Sequence, residues 1–332
     1  MGKRIILSFS IVLLLFVGST ALSAPLVFKF STLAPEGTSW INLWREMASA
    51  IETESNDRIK MVTFAGGVVG DEPDMVRKMR LGQIHMIGVT VNGIRNMVPE
   101  MDAFQLPFLF EDENQVDFVR QKMRPTIDKL FIKHNYKLLI WVDNGFMNFY
   151  SKNPFRTPEE LAQQKVWVWS GDPIPTEIFK SLGVSPIPTD VPSVLSSLQT
   201  GLLNAVYTSP LACVALQWCS EAKYATLIKM RYETAVIAMP LPLWQAIPKN
   251  LQQILQRNFN QYSPRFFETV WKDHHASIEV MKENGIAVVD LSPRERELFI
   301  QKTRPLWDQL ADRFYPRWLL NEIQKTLQGY SH

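Results

Sequence analysis

Five histidines, His85, His134, His274, His275 and His332, are the first places to look for chemistry in this 332-residue chain. None has the company that chemistry needs. Two imidazoles four residues apart share a helical face and can grip one metal ion, and no pair here has that spacing. There is also no Cys/His cluster. Adjacent His274 and His275 diverge by about 100° on a helix and read as a solvated face. The run Ala65-Gly66-Gly67-Val68-Val69-Gly70 has the look of a phosphate-cradling loop, but no Lys-Ser or Lys-Thr follows it. It reads instead as a loop at the rim of a cleft. No G-x-S-x-G elbow occurs. The residues therefore predict no catalysis, no cofactor and no metal; they point to binding without turnover. Cys213 and Cys219 lie in a stretch, 210–221, that reads as one helix. Six helical steps put their Cα atoms about 9 Å apart, against the ~7 Å a disulfide tolerates. Two free, mostly buried thiols are expected.

The elements that would position a binding site alternate between strand and helix, the signature of α/β lobes. Strands are expected at 27–32, 59–64, 84–89, 137–142, 165–169 and 204–208, with a crossing strand at 232–239. Trp40, Leu43, Trp44, Met47, Ala48 and Ile51 recur at helical spacing behind Ser39 as a cap. Thr157-Pro158-Glu159-Glu160 is a capping box with Pro at the first helical position, and Ser292-Pro293-Arg294-Glu295 caps a further helix. From about 248 to 283 runs one long helical pattern, interrupted by Pro264 and closed at Asn284-Gly285. Domain boundaries fall at chain crossings, since no low-complexity linker exists.

Lys3 and Arg4 precede an apolar run from Ile5 to Val17, followed by Gly18, Ser19, Thr20 and Ala21. This is the layout of a secretory signal, with cleavage expected after Ala21 or Ala24. The run is short of the ~20 residues that span a bilayer, and no Cys at the junction offers a lipid anchor. Without Lys3 and Arg4 the 35 basic residues become 33, against 33 acidic ones. That balance disfavours nucleic acid, whose phosphates demand a basic surface. A periplasmic location is expected.

The segments Arg80-Leu81-Gly82-Gln83-Ile84, Pro99-Glu100, Leu106-Pro107-Phe108-Leu109-Phe110 and Asp143-Asn144-Gly145-Phe146 occur in that order. Lys165-Val166-Trp167-Val168, Phe179-Lys180-Ser181-Leu182-Gly183, Pro186-Ile187-Pro188 and Leu198-Gln199-Thr200-Gly201 follow. Together they resemble the solute-binding proteins of TRAP (tripartite ATP-independent periplasmic) transporters across essentially the whole mature chain. The resemblance implies a two-lobed periplasmic binding protein fold, α/β in class, with crossing strands and one long helix connecting the lobes. Lobe I is expected over 25–148 plus about 241–285, and lobe II over 149–240 plus about 286–332. It also implies partners: a small ligand held between the lobes, and the membrane subunits of a TRAP permease.

The sequence departs from that family where the ligand is held. The family's carboxylate-pairing Arg, in Lys-Ile-Arg-Val, is replaced by Trp167, and a second Arg by Met147. The Asn that helps hold the carboxylate falls near Thr208, with Tyr207 beside it, and other polar positions become Thr90, Gly93 and Met230. Trp167, Met147, Trp169, Tyr207, Thr208, Thr90, Asn92, Asn144, Phe146 and Met230 are the candidate ligand contacts. Loss of the guanidinium removes charged hydrogen bonds worth about 1.5–3 kcal/mol each, while an indole offers about 150–250 Å² of mostly apolar surface. The ligand is expected to be hydrophobic or amphipathic. The arginine-less pattern resembles a sub-branch that works with a tetratricopeptide-repeat partner protein. Two alternatives stay open: a periplasmic lipid carrier or co-sensor, and a carboxylate receptor using a relocated Arg95 or Arg231.

Overall fold

A computed structural model describes residues 24–330. The signal segment and its cleavage after Ala21 fall outside these residues, and cleavage after Ala24 falls at their edge. Nine strands are present among the described residues: β1 (Leu26–Thr32), β2 (Ile59–Phe64), β3 (Met86–Val89), β4 (Tyr136–Ser151), β5 (Trp167–Trp169), β6 (Ile187–Thr189), β7 (Ala205–Thr208), β8 (Tyr224–Pro240) and β9 (Ala287–Val289). In the first half β1 lies between β2 and β3, parallel to both. There β3 pairs antiparallel with the end of β8, from Ile87 opposite Ala238 to Val89 opposite Val236.

Two strands then carry the sheet into the second half. β4 and β8 run antiparallel from Tyr136 opposite Pro240 to Ser151 opposite Tyr224, with register shifts near Leu138, Asp143 and Met147. The far end of β4 pairs with β7, and the near end of β8 with β9. A bridge from Val166 to Ala205 brings the parallel pair β5–β6 alongside. Both crossing strands are longer than the alternation of the sequence indicates, because they are buried along almost their whole length. A strand covered on both faces shows a continuous apolar run rather than a period of two.

The helix Lys249–Glu283 runs 35 residues through Pro264. Its first turns bury Leu255, Phe259 and Phe266 in the core of the first half, beside Phe30, Trp44 and Ile51. Its last turns place Met281 among Trp167, Leu198 and Trp218 in the second. The segment 286–330 packs on both halves. Helix Pro293–Thr303 lies against helix Pro173–Ser181. Beyond it, the Trp307 indole donates to the Pro107 carbonyl at 2.9 Å, and helix Arg317–Gln328 turns Leu319, Leu320 and Ile323 toward helix Glu113–Lys133.

Local chemistry corrects two expectations. Thr38, not Ser39, caps the first long helix, its hydroxyl accepting from the Ile41 amide. Residues 210–221 are not one helix. Helix Pro210–Ala215 stops, Gln217 takes a left-handed φ of 61°, and a 3-10 turn covers Trp218–Glu221. The reversal shortens the Cα separation of Cys213 and Cys219 to 5.3 Å, and they form a disulfide instead of two thiols. The 9 Å distance held only for an unbroken helix.

Candidate functional site

Between the two halves lies a cavity of about 150 Å³. An apolar cavity of roughly this size in another protein admits a benzene ring. One wall is indole. Trp167 and Trp169 stand two apart on β5 and so face the same way. The Trp218 ring, carried by the disulfide-closed turn, meets Trp167 edge-to-face at 5.0 Å. The Trp167 indole N–H donates to the Thr189 carbonyl at 2.8 Å, so its polar tip is satisfied by the protein and its ring is left for apolar contact. Leu211, Leu216, Met147 and, from the first half, Leu33 and Trp40 continue the surface.

Two of the hydrogen bonds that join the halves start from the indole wall and from Asn92. The Trp169 indole N–H donates to Asp71 Oδ2 at 2.9 Å, and Asn92 Nδ2 to the Ser170 carbonyl at 3.2 Å. Asp71 also caps the helix Glu72–Arg80. Burial holds its carboxyl above the usual range, against the pull of these donors.

Charge in the wall is mostly internally consumed. Arg231 donates to Glu233 Oε1 and Gln105 Oε1, both at 2.8 Å, and reaches Asp172 Oδ2 at 3.4 Å. Asn144 donates to the other Glu233 oxygen. Glu72 accepts from the amides of Thr90 and Gly93 at 2.7 Å each and from the Thr90 hydroxyl at 3.0 Å. Burial nonetheless lifts its carboxyl to about 8. Asp143, bonded to the Tyr232 hydroxyl and to the Trp271 indole, is lifted by burial to about 6. In sum, the cavity is lined by five carboxyl groups and one guanidinium.

The structure brings Trp167, Met147, Trp169, Tyr207, Thr208, Thr90 and Asn144 to the cavity wall. It does not bring Phe146, Met230 or Asn92 there. Phe146 and Met230 occupy the opposite strand faces from Met147 and Arg231, which do line it. Phe146 packs on Tyr232 and Trp271, and Met230 is fully buried. Asn92 serves the bridge to Ser170. Arg95 pairs with Asp102 and does not line the cavity, whereas Arg231 does. Sequence reasoning missed Trp218, Leu211, Leu216, Trp40 and Asp273. Leu216 and Trp218 flank a chain reversal with no Gly or Pro to announce it, and Leu211 lies on the short helix that precedes it. Trp40 was legible only as a core position of its helix, and Asp273 as one more polar residue in a long helix.

Known proteins share this architecture. The family model described as DctP, bacterial extracellular solute-binding protein, family 7, matches residues 30–313. A C4-dicarboxylate-binding protein of Bacillus subtilis is 22% identical over 306 residues, covering 90% of this chain and 85% of that one. A TRAP periplasmic solute-binding protein of Ralstonia eutropha, solved with bound (S)-2-acetolactate, superposes with a TM-score of 0.85 at 20% identity, covering 92% of this chain and 99% of that one. One of Pseudomonas putida, with bound D-glucuronate, gives a TM-score of 0.80 at 24% identity, covering 90% and 97%. With the two-lobed fold and most of its length matched, this chain belongs to the bacterial extracellular solute-binding proteins of family 7.

Proposed function

We propose that this chain is a periplasmic receptor that captures a hydrophobic or amphipathic small molecule between its lobes and delivers it to a TRAP-type permease. The first lobe then comprises about 25–148 with 241–285, and the second about 149–240 with 286–332. One observation carries the ligand class. The only cation lining the cavity among the described residues is Arg231, and Asp172 and Glu233 already hold it.

An incoming carboxylate would have to be desolvated beside those two acids, at an effective cost of several kcal/mol. The indole wall would instead stabilise an apolar guest by about 25 cal/mol for each Å² covered. A second reading has support of its own: relatives are described with bound acids, and Arg231 Nε lies buried without a hydrogen-bond partner. In that reading Arg231 turns from its own carboxylates to the ligand. Calorimetric titration with D-glucuronate and with succinate separates the two. The apolar reading expects no saturable heat from either up to millimolar concentration; micromolar binding of either would sink it.

A further inference from the structure

Tyr207 and Asp273 stand in the cavity wall with side-chain polar atoms that no protein group pairs. The Tyr207 residue is 4% exposed, lines the cavity, and its hydroxyl makes no hydrogen bond. Asp273 also lines the cavity, and unlike Glu72, Asp143, Asp172, Glu233 and Arg231 it has neither a hydrogen bond nor an ion pair. Its placement follows from the helix. Phe266, Val270 and Asp273 stand at the four- and three-residue steps that share a face. Val270 and Asp273 line the cavity, and Phe266 packs against Trp40, which lines it too.

A buried hydroxyl left unpaired is costly, and natural interiors satisfy such groups with protein, water or ligand. Asp273 is an unpaired carboxylate while Arg231 is held by Asp172 and Glu233, so the uncompensated charge in the wall is negative, and the rings beside it are of the kind whose faces attract cations.

We propose that the cleft takes a cationic amphiphile, a protonated amine whose ammonium pairs with Asp273 while its apolar body lies against Trp167, Trp169 and Trp218. The Tyr207 hydroxyl then meets a polar atom of the same molecule. This rests on the reading of the cleft as an apolar receptor site and adds the sign of the ligand's charge. It also gives the wall's acidic excess a purpose: the excess repels acids and admits bases, while Arg231 stays locked in its own network.

Three six-carbon probes with the same tail separate the two claims: hexylammonium, hexan-1-ol and hexanoate, titrated into the purified protein by calorimetry at low salt. The expected order is hexylammonium tightest, by at least fivefold over hexan-1-ol, with hexanoate weakest. The preference should shrink in 0.5 M NaCl, because Asp273 is only partly buried and its field is screened. Asp273→Asn should collapse the ratio of the first two probes to within twofold. Equal affinity of the ammonium and the alcohol for the wild-type protein overturns this inference and leaves the apolar receptor standing. Failure of all three to bind, or a preference for hexanoate, sinks both. A preference that survives in Asp273→Asn shows that another group receives the charge and overturns the assignment to Asp273.

Discussion

Trp167 carries the specificity claim at the scale of single residues. Its indole N–H is spent on Thr189, so what it presents to the cavity is a ring. Trp167→Ala should weaken binding of the molecule identified by solvent extraction at least about tenfold, or 1.4 kcal/mol, by calorimetry; unchanged affinity would place the ring outside the ligand's reach. His274 makes a pH prediction. Burial holds its imidazole down to about 4, and its Nε2–H donates to the Asn144 carbonyl at 2.9 Å. Between pH 6.5 and 4 the unfolded chain binds a proton that the folded one refuses. The stability tied to a neutral His274 is thus complete above pH 6.5 and is lost as the pH falls toward 4, by about 2–3 kcal/mol at pH 4.5. Urea unfolding of wild type and His274→Gln at pH 7.5 and 4.5 should show the variant losing less over that interval. An equal loss in both proteins would mean His274 is not the group responsible. The histidine pair read from sequence as a solvated face divides: His275 is exposed, whereas His274 is buried. Residue type alone could not separate them, because the neighbour that buries His274 is a backbone 130 positions away.

Among the elements, β4 is where the halves meet the long helix. Gly145 sits there at φ +93°, and a Cβ built on it would stand 2.1 Å from His274 Nε2. Gly145→Ala should cost about 3 kcal/mol or more, from the left-handed backbone and the displaced imidazole together. A midpoint of urea unfolding unchanged from wild type would contradict this. The long helix, the cap at Ser292 and most strand positions were legible in the sequence, because propensity and periodicity there agree with the tertiary structure. The break after Ala215 was not. An apolar, helix-compatible stretch hides a turn made by Gln217 in a left-handed conformation, and the disulfide and Trp218 follow from it. Candidate contacts on the crossing strands were legible only to within one residue. Register shifts near Asp143 and Met147 decide which side chain of a neighbouring pair faces the cavity, and no local sequence signal marks them.

At the scale of the whole molecule, the cleft is spanned by Trp169 to Asp71 and by Asn92 to Ser170. A hydrogen bond to a charged group is worth about 1.5–3 kcal/mol. Trp169→Phe keeps the ring and loses the donor. It should weaken ligand binding about tenfold or more and enlarge the radius of gyration in small-angle scattering, as the halves separate more readily. A variant as compact and as tight-binding as wild type would show that other contacts hold the cleft together. What that cleft holds is read most directly by extracting the purified, freshly isolated protein with organic solvent and identifying the released molecule by mass spectrometry. The account predicts a hydrophobic or amphipathic compound at close to one equivalent per chain. A C4-dicarboxylate or a sugar acid released at that stoichiometry would contradict it.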